Sequence, residues 1–189
     1  MKLFTLAALS AASLSLAACG GSSVDGDMSD TDLPAKYDSL EGLVAGAEAG
    51  ELETASEAMM AGTATMSGAL GVGDLGDDGN LEALGDLALT ADFTGGTVTG
   101  TANNFALYDQ DTQAVEAELS GSLSINGTIT GTGMTADADG TLNDGEDHLL
   151  DLVMDGIFYD YEGDLAVYGD VSGTIDGDYE EGGYAAIAD

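Results

Sequence analysis

Between Val115 and Ile125 the chain reads VEAELSGSLSI, and its residues alternate strictly. Val115, Ala117, Leu119, Gly121, Leu123 and Ile125 form one series; Glu116, Glu118, Ser120, Ser122 and Ser124 form the other. A period of two puts each series on its own face of a β-strand. An apolar face needs a partner surface, so this pattern demands a sheet that folds back on itself. The pattern recurs in Leu87, Leu89, Ala91 and Phe93, in Leu150, Leu152 and Met154, and in Leu165, Val167, Gly169, Val171, Gly173 and Ile175. It predicts eight strands, near 63–72, 85–93, 97–107, 114–125, 128–138, 149–159, 165–176 and 182–188. Eight antiparallel strands with one apolar face fit an up-and-down β-barrel that its own side chains can fill. A two-sheet sandwich is the alternative. Glycines in the inward series suit tight curvature.

Two turns set the expected register. Gly95-Gly96 as a two-residue turn pairs Phe93 with Val98, Ala91 with Gly100 and Leu89 with Ala102. Asn126-Gly127 is the strongest short hairpin signal in the chain. A turn there pairs Ile125 with Thr128 but puts Ile129 on the polar face, so it needs a bulge or threonines in the interior.

Ahead of the barrel region, residues 37–61 carry apolar positions at helical spacing: Leu40, Leu43, Val44 and Ala47, then Leu52, Ala55 and Met59. They predict one or two short helices broken near Gly50. Earlier still, Gly20 to Pro34 is rich in Gly, Ser and Asp and lacks periodicity, as a flexible tether does.

The N-terminus has its own logic. Lys2 precedes an apolar run, Leu3 to Leu16, that ends in Ala17 and Ala18 before Cys19. This order of charge, apolar run and small residues is that of a secretory signal peptide, and the run is too short to span a bilayer. Cys19 is the single cysteine, so it has no disulfide partner within the chain. Leu16-Ala17-Ala18-Cys19 resembles a bacterial lipobox, whose cysteine is acylated and becomes the mature N-terminus. That resemblance makes Cys19 the lipidation site and implies a membrane partner through its acyl chains. Gly20, where an aspartate is absent, favours the outer membrane by the sorting rule of many Gram-negative lipoproteins. The other reading is an ordinary signal peptide with an incidental cysteine. The expected organisation is a signal peptide at 1–18, a lipidated tether at 19–36, a helical segment at 37–61 and a barrel at 62–189.

Charge excludes several functions. Asp and Glu number 36 against 2 Lys and Arg, a formal net charge of −34. After cleavage Lys36 is the only Lys or Arg left, so nucleic acid is excluded as a partner, as is docking to anionic lipid by charge. The carboxylates keep an exposed protein solvated; a saline habitat and weak divalent cation binding are further readings. The polar face carries Glu116, Glu118, Asp151 and Asp170, which is the reverse of a transmembrane barrel.

Few residues suggest chemistry. Residues 135–146, TADADGTLNDGE, place ligand-type residues much as a calcium loop does, including Asp137, Asp139 and Glu146. The preceding segment has strand period, so a polar hairpin tip is the competing reading. Gly71-Val-Gly73-Asp-Leu-Gly76 spells a dinucleotide fingerprint, but Asp74, Asp77 and Asp78 would repel a pyrophosphate. His148, the only histidine, sits beside Asp147 at a loop–strand junction. No nucleophile motif or zinc ligand set occurs. The expectation is a non-enzyme without catalytic, metal or cofactor residues.

The segments FTGGTVTG (93–100), LSGSLSINGTITGTG (119–133), GIFYDYEGDLAVYGDVSG (156–173) and GGYAA (182–186) together resemble the C-terminal barrel of transferrin-binding protein B-like surface lipoproteins. Gly156-Ile157-Phe158-Tyr159 matches the start of that family's closing pattern, and Ala166, Gly169 and Gly173 match its end; Asp160 stands where the family has glycine. The resemblance implies an outer-membrane lipoprotein that binds a partner without catalysis. It does not carry over a host ligand, since the chain has no second lobe.

Three functions follow as expectations. The first is a lipid-anchored binding or accessory protein whose loops 74–80, 108–113 and 139–148 meet a protein or small-solute ligand. The second is an acidic structural or coat lipoprotein with no specific ligand. The third is a carrier that uses the barrel interior, which a cavity of several hundred Å³ would favour.

Overall fold

The computed structural model of the chain describes residues 33–73, 75 and 81–189. Its strands are β1 (Glu53–Thr54), β2 (Thr63–Val72), β3 (Leu81–Asp92), β4 (Thr97–Asp109), β5 (Val115–Glu118), β6 (Ser120–Thr130), β7 (Gly133–Asn143), β8 (Asp147–Tyr161), β9 (Asp164–Ile175) and β10 (Asp178–Ala188). Strands β2, β3, β4, β6, β7, β8, β9 and β10 pair antiparallel in that order, and β10 returns to β2. The result is a closed, eight-stranded up-and-down barrel. Closure removes the free edges that an open sheet would expose.

Alternation sets the faces. On β7, Met134, Ala136, Ala138 and Leu142 are buried inside, while Thr135, Asp137, Asp139 and Thr141 are exposed outside. The interior is filled by large side chains, among them Tyr184, Phe105, Phe158, Met66, Leu70 and Ile125. Glycine sharpens the curvature at specific points. A Cβ on Gly169 would collide with the backbone of Asp155 and Gly156 on the neighbouring strand, so the strands bend together there as only glycine permits.

Three expected details differ. The Gly95-Gly96 turn is longer than two residues. Asp92 pairs with Thr97 and Ala91 with Val98, leaving Phe93–Gly96 as a four-residue turn. The Asp92 carboxylate organises it by accepting from the amides of Thr94 and Gly95, at 3.0 and 2.9 Å. The register moves by two residues, so the faces are unchanged. The Asn126-Gly127 hairpin is absent. β6 runs straight through, and the turn falls at Gly131-Thr132, where Gly131 has φ +60°. An uninterrupted strand keeps Ile129 in step with Leu123 and Ile125, packed against the core. Burial of Ile129 outweighs the local turn preference of Asn-Gly. A bulge does occur, on β4. Between the pairs Leu84–Ala106 and Asp86–Asn103, β4 holds one extra residue, and Asn104 takes φ +53°. The shift turns Phe105 and Leu107 inward and Ala106 and Tyr108 outward.

Those outward residues are buried by the N-terminal segment. A 3₁₀ turn, Ala35–Leu40, runs into helix α1, Glu41–Glu48. Tyr37, Leu40, Leu43 and Val44 pack with Ala69, Leu84, Ala106, Tyr108, Ala166 and Ala185 on the outside of the barrel. This explains why GYAAI in β10 is apolar at consecutive positions: Tyr184 and Ala186 face the interior and Ala185 faces the helix. Helix α1 ends at Glu48, close to the break expected near Gly50, which takes φ +66°, and the Glu51 amide bonds to the Gly46 carbonyl at 2.9 Å.

The second helix does not form. Glu53 and Thr54 instead pair with Asp160 and Tyr159 of β8, beyond the last β7 pairing at Ile157. An open strand edge offers backbone partners that a short helix would have to supply itself. Ala55, Met59 and Met60 then close this end of the barrel against the core.

Candidate functional site: the acidic loop end

An up-and-down barrel sends alternate turns to opposite ends. The β2–β3, β4–β5, β7–β8 and β9–β10 connections therefore share one end. Loops 108–113 and 139–148, two of the three nominated from sequence, lie there. Most of loop 74–80 falls outside the described residues; Leu75 of that loop is buried. The other turns bring Asp109 and Asp111, Asp144, Glu146 and Asp147, and Asp176 and Asp178 to this end.

These turns are built by their own carboxylates and amides. Asp109 Oδ1 accepts from the Thr112 amide and hydroxyl, both at 2.8 Å. Asn143 Oδ1 accepts from the Gly145 amide at 3.1 Å, and its amide nitrogen donates to Asp147 at 2.7 Å. Asp144 Oδ1 accepts from the Glu146 amide at 3.1 Å. Such side-chain to backbone bonds are what make Asp and Asn turn residues.

His148 is the one non-acidic titratable group among them. Its Nδ1 lies 2.8 Å from Asp176 Oδ2 and its Nε2 lies 3.2 Å from Asp144 Oδ1. The Asp176 hydrogen bond is the largest influence on it. With Asp144 it outweighs burial and raises the imidazole above its ordinary value. In return Asp176 and Asp144 are lowered, first by the amides of Leu149 and Glu146 respectively and then by His148. Asp147, the sequence neighbour, is not the partner. The signal that could have found Asp144 is its place four residues before the histidine across a Gly turn. Asp176 is distant in sequence, and only the β8–β9 pairing brings it near.

The calcium-loop reading of 135–146 is corrected. Residues 133–143 are strand β7, with Leu142 and Ala138 inside the barrel, so Asp137 and Asp139 lie along an outer face and do not wrap around an ion. Among the described residues no three His, Cys, Asp or Glu side chains converge as metal ligands. In the glycine fingerprint, Gly71 pairs within the barrel and the Gly73 amide donates to the Glu181 carbonyl, while Asp74 and Gly76 lie outside the described residues. Cys19 and the tether up to residue 32 lie outside them too.

Lys36 serves the fold. Its Nζ is 2.6 Å from Asp86 Oδ1, on β3 beneath the helical segment. Asp86 also accepts from the Tyr37 hydroxyl at 3.1 Å and from Asn104 Nδ2 at 3.0 Å. Burial pushes the Asp86 carboxyl up, but the Lys36 and Asn104 bonds, the Lys36 charge and Tyr37 together hold it below the ordinary carboxylate value.

The residues of the 156–173 segment lie along the paired strands β8 and β9. Gly156 and Gly169 face each other across β8 and β9, and the Tyr184 hydroxyl reaches them from the interior. Phe158 packs edge-to-face on Phe93, with ring centres 5.2 Å apart. Outside this wall lies an open groove of about 500 Å³ between Thr128, Thr135, Asp155, Ile157 and Tyr168. A second groove of about 490 Å³ runs over Thr65, Thr90, Thr99, Thr101 and Ser124.

No family model matches the chain, and a search of the curated proteins finds no match. The reading of function rests on the residues themselves.

Proposed function

We propose that the chain is an exported lipoprotein, acylated at Cys19 and anchored in the outer membrane, whose barrel acts as a non-catalytic binding or accessory module at the cell envelope. The observation that carries this is Leu16-Ala17-Ala18-Cys19, set directly after an apolar run and holding the only cysteine. The barrel supports it in two ways. Its interior is occupied by bulky side chains, which favours loop-mediated contact over carriage of a solute inside. The nominated loops 108–113 and 139–148 share one end, where a single partner can touch them together. The similarity to transferrin-binding protein B-like lipoproteins belongs to this proposal, and so does a protein or solute ligand. A ligand at the loop end would be cationic, because carboxylates dominate every described turn there.

The acidic-coat reading is the second, favoured by the same carboxylates and by the commitment of Lys36 to Asp86. Intact mass of the membrane-extracted protein tests the anchor. A mass equal to residues 19–189 plus acyl chains, lost in Cys19→Ala, supports the proposal. A mature chain without lipid, free in the periplasm, overturns it. Replacing Asp109, Asp111 and Glu146 by Asn and Gln then separates the two readings, since a binding protein loses a saturable cationic partner and a coat has none to lose.

A further inference from the structure

His148 has carboxylates on both sides. Asp176 Oδ2 faces Nδ1 at 2.8 Å and Asp144 Oδ1 faces Nε2 at 3.2 Å. A neutral imidazole has one N–H and one lone pair, so it can donate to only one of them. The other nitrogen would then present a lone pair to a carboxylate. Only the imidazolium donates to both. The two carboxylates belong to different turns, β7–β8 and β9–β10, at the same end of the paired strands β8 and β9.

We propose that His148 is a proton-operated clasp that ties the β7–β8 turn to the β9–β10 turn at the loop end and lets the β7–β8 turn go when it deprotonates. The two contacts are unequal. Asp176 is the closer and is tied to the strand that carries His148, because its Oδ1 accepts from the Leu149 amide at 2.8 Å and its own amide donates to the Leu149 carbonyl at 2.9 Å, whereas Asp144 Oδ1 is held within its own turn by the Glu146 amide at 3.1 Å. The neutral ring therefore keeps its proton on Nδ1, toward Asp176, and the Asp144 side opens. The groups that face the ring are Asp144 from its own hairpin and Asp176 from β9–β10, and the other titratable residues of these two turns and their flanks are Glu146, Asp147 and Asp178. All are carboxylates, and Lys36, the one Lys or Arg among the described residues, is bound to Asp86 elsewhere. Nothing basic here competes for them, so the imidazolium is favoured.

The sign follows from this environment. A histidine raised by its partners holds the clasp fully closed below its ordinary value near 6.5 and releases it as pH rises through the raised value. On the acid side, the clasp is lost only when Asp144 and Asp176 protonate. It is thus closed from the carboxylate range up to the histidine midpoint and open above it. What this adds to the binding reading is regulation of the same loops, but it does not depend on that reading.

Nuclear magnetic resonance of the full ¹⁵N-labelled chain tests the clasp. The expected result is a His148 midpoint above the ordinary value, with both ring nitrogens protonated below it. The amides of Gly145 and Glu146 should titrate with the same midpoint, while that of Leu149 stays nearly still. In Asp144→Asn the His148 midpoint falls and the turn amides stop following it. In Asp176→Asn the midpoint also falls, which checks the geometry by a second variant should the first perturb its turn. A His148 midpoint at or below the ordinary value, or turn amides indifferent to it, overturns the proposal. Either result leaves the lipidation of Cys19 untouched, so the two proposals fail separately.

Discussion

The hydroxyl of Tyr184 stands where a Cβ at position 156 would have to be, so Gly156 and Tyr184 exclude any larger side chain at the first position. The same hydroxyl is fully buried and has no hydrogen-bond partner among the described residues. Burial, with the nearby Asp155 and Asp170 charges, holds its proton on far above the usual tyrosine value.

Gly156→Ala should therefore cost about 1–3 kcal/mol of stability through overpacking against the tyrosine ring. Tyr184→Phe removes an unsatisfied buried hydroxyl and should gain about 1 kcal/mol. Urea unfolding measures both. A loss of that size in Tyr184→Phe would instead mean that the hydroxyl holds an internal water.

Asp86→Asn should weaken docking of the helical segment. Both Lys36 and Asp86 are more than a third exposed, so the effect at pH 7 is below about 1 kcal/mol and shrinks in high salt. The folded carboxyl lies below its ordinary value of 3.8. Its contribution is present above that value and is lost as pH falls through the depressed one. The variant and the parent should thus converge in acid urea titrations; a difference that persists there would place the effect elsewhere.

Leu43→Ala tests the outer layer. Leu43 is fully buried between helix and barrel, and its truncation should cost about 2–5 kcal/mol. Limited proteolysis should then cut first between residues 33 and 52 while the barrel resists. Cleavage that begins in the barrel strands would show that the two layers unfold as one.

The β6–β7 turn can be located by substitution. Gly131 has φ +60° with open space around its Cβ position, so Gly131→Ala should cost about 1 kcal/mol through backbone strain alone. Asn126→Ala, in the middle of β6, should change stability by less than about 0.5 kcal/mol. Thermal unfolding with the opposite order would argue for a hairpin at Asn126-Gly127.

The barrel was legible because its signal is long: LAVYGDVSGTI repeats a period of two along β9, and VEAELSGSLSI repeats it too, although the strand expected at 114–125 is divided between β5 and β6 and Val115 is exposed. Local turn chemistry misled where it opposed that period. Asn126-Gly127 prefers a turn, but the alternation through Ile125, Gly127 and Ile129 is continuous, and the longer pattern wins. The β4 bulge was not legible, because Asn104 looks like any polar strand residue until Phe105 must enter beneath Gly85. Leu52, Ala55 and Met59 keep helical spacing, yet the unpaired end of β8 takes the chain. At the loop end, the sequence placed His148 beside Asp147 and named no partner for it, since one such as Asp176 becomes visible only when strands are paired.

The pairing of Leu70 with Tyr184 has a consequence for how the molecule comes into being. The first barrel strand waits for the last, and part of the patch that receives the helix, Ala166 and Ala185, is completed only by the final two strands. During synthesis the chain through β10 must leave the ribosome before any closed form exists. Until then it is a thread, and machinery that handles threads has that interval in which to take hold of it.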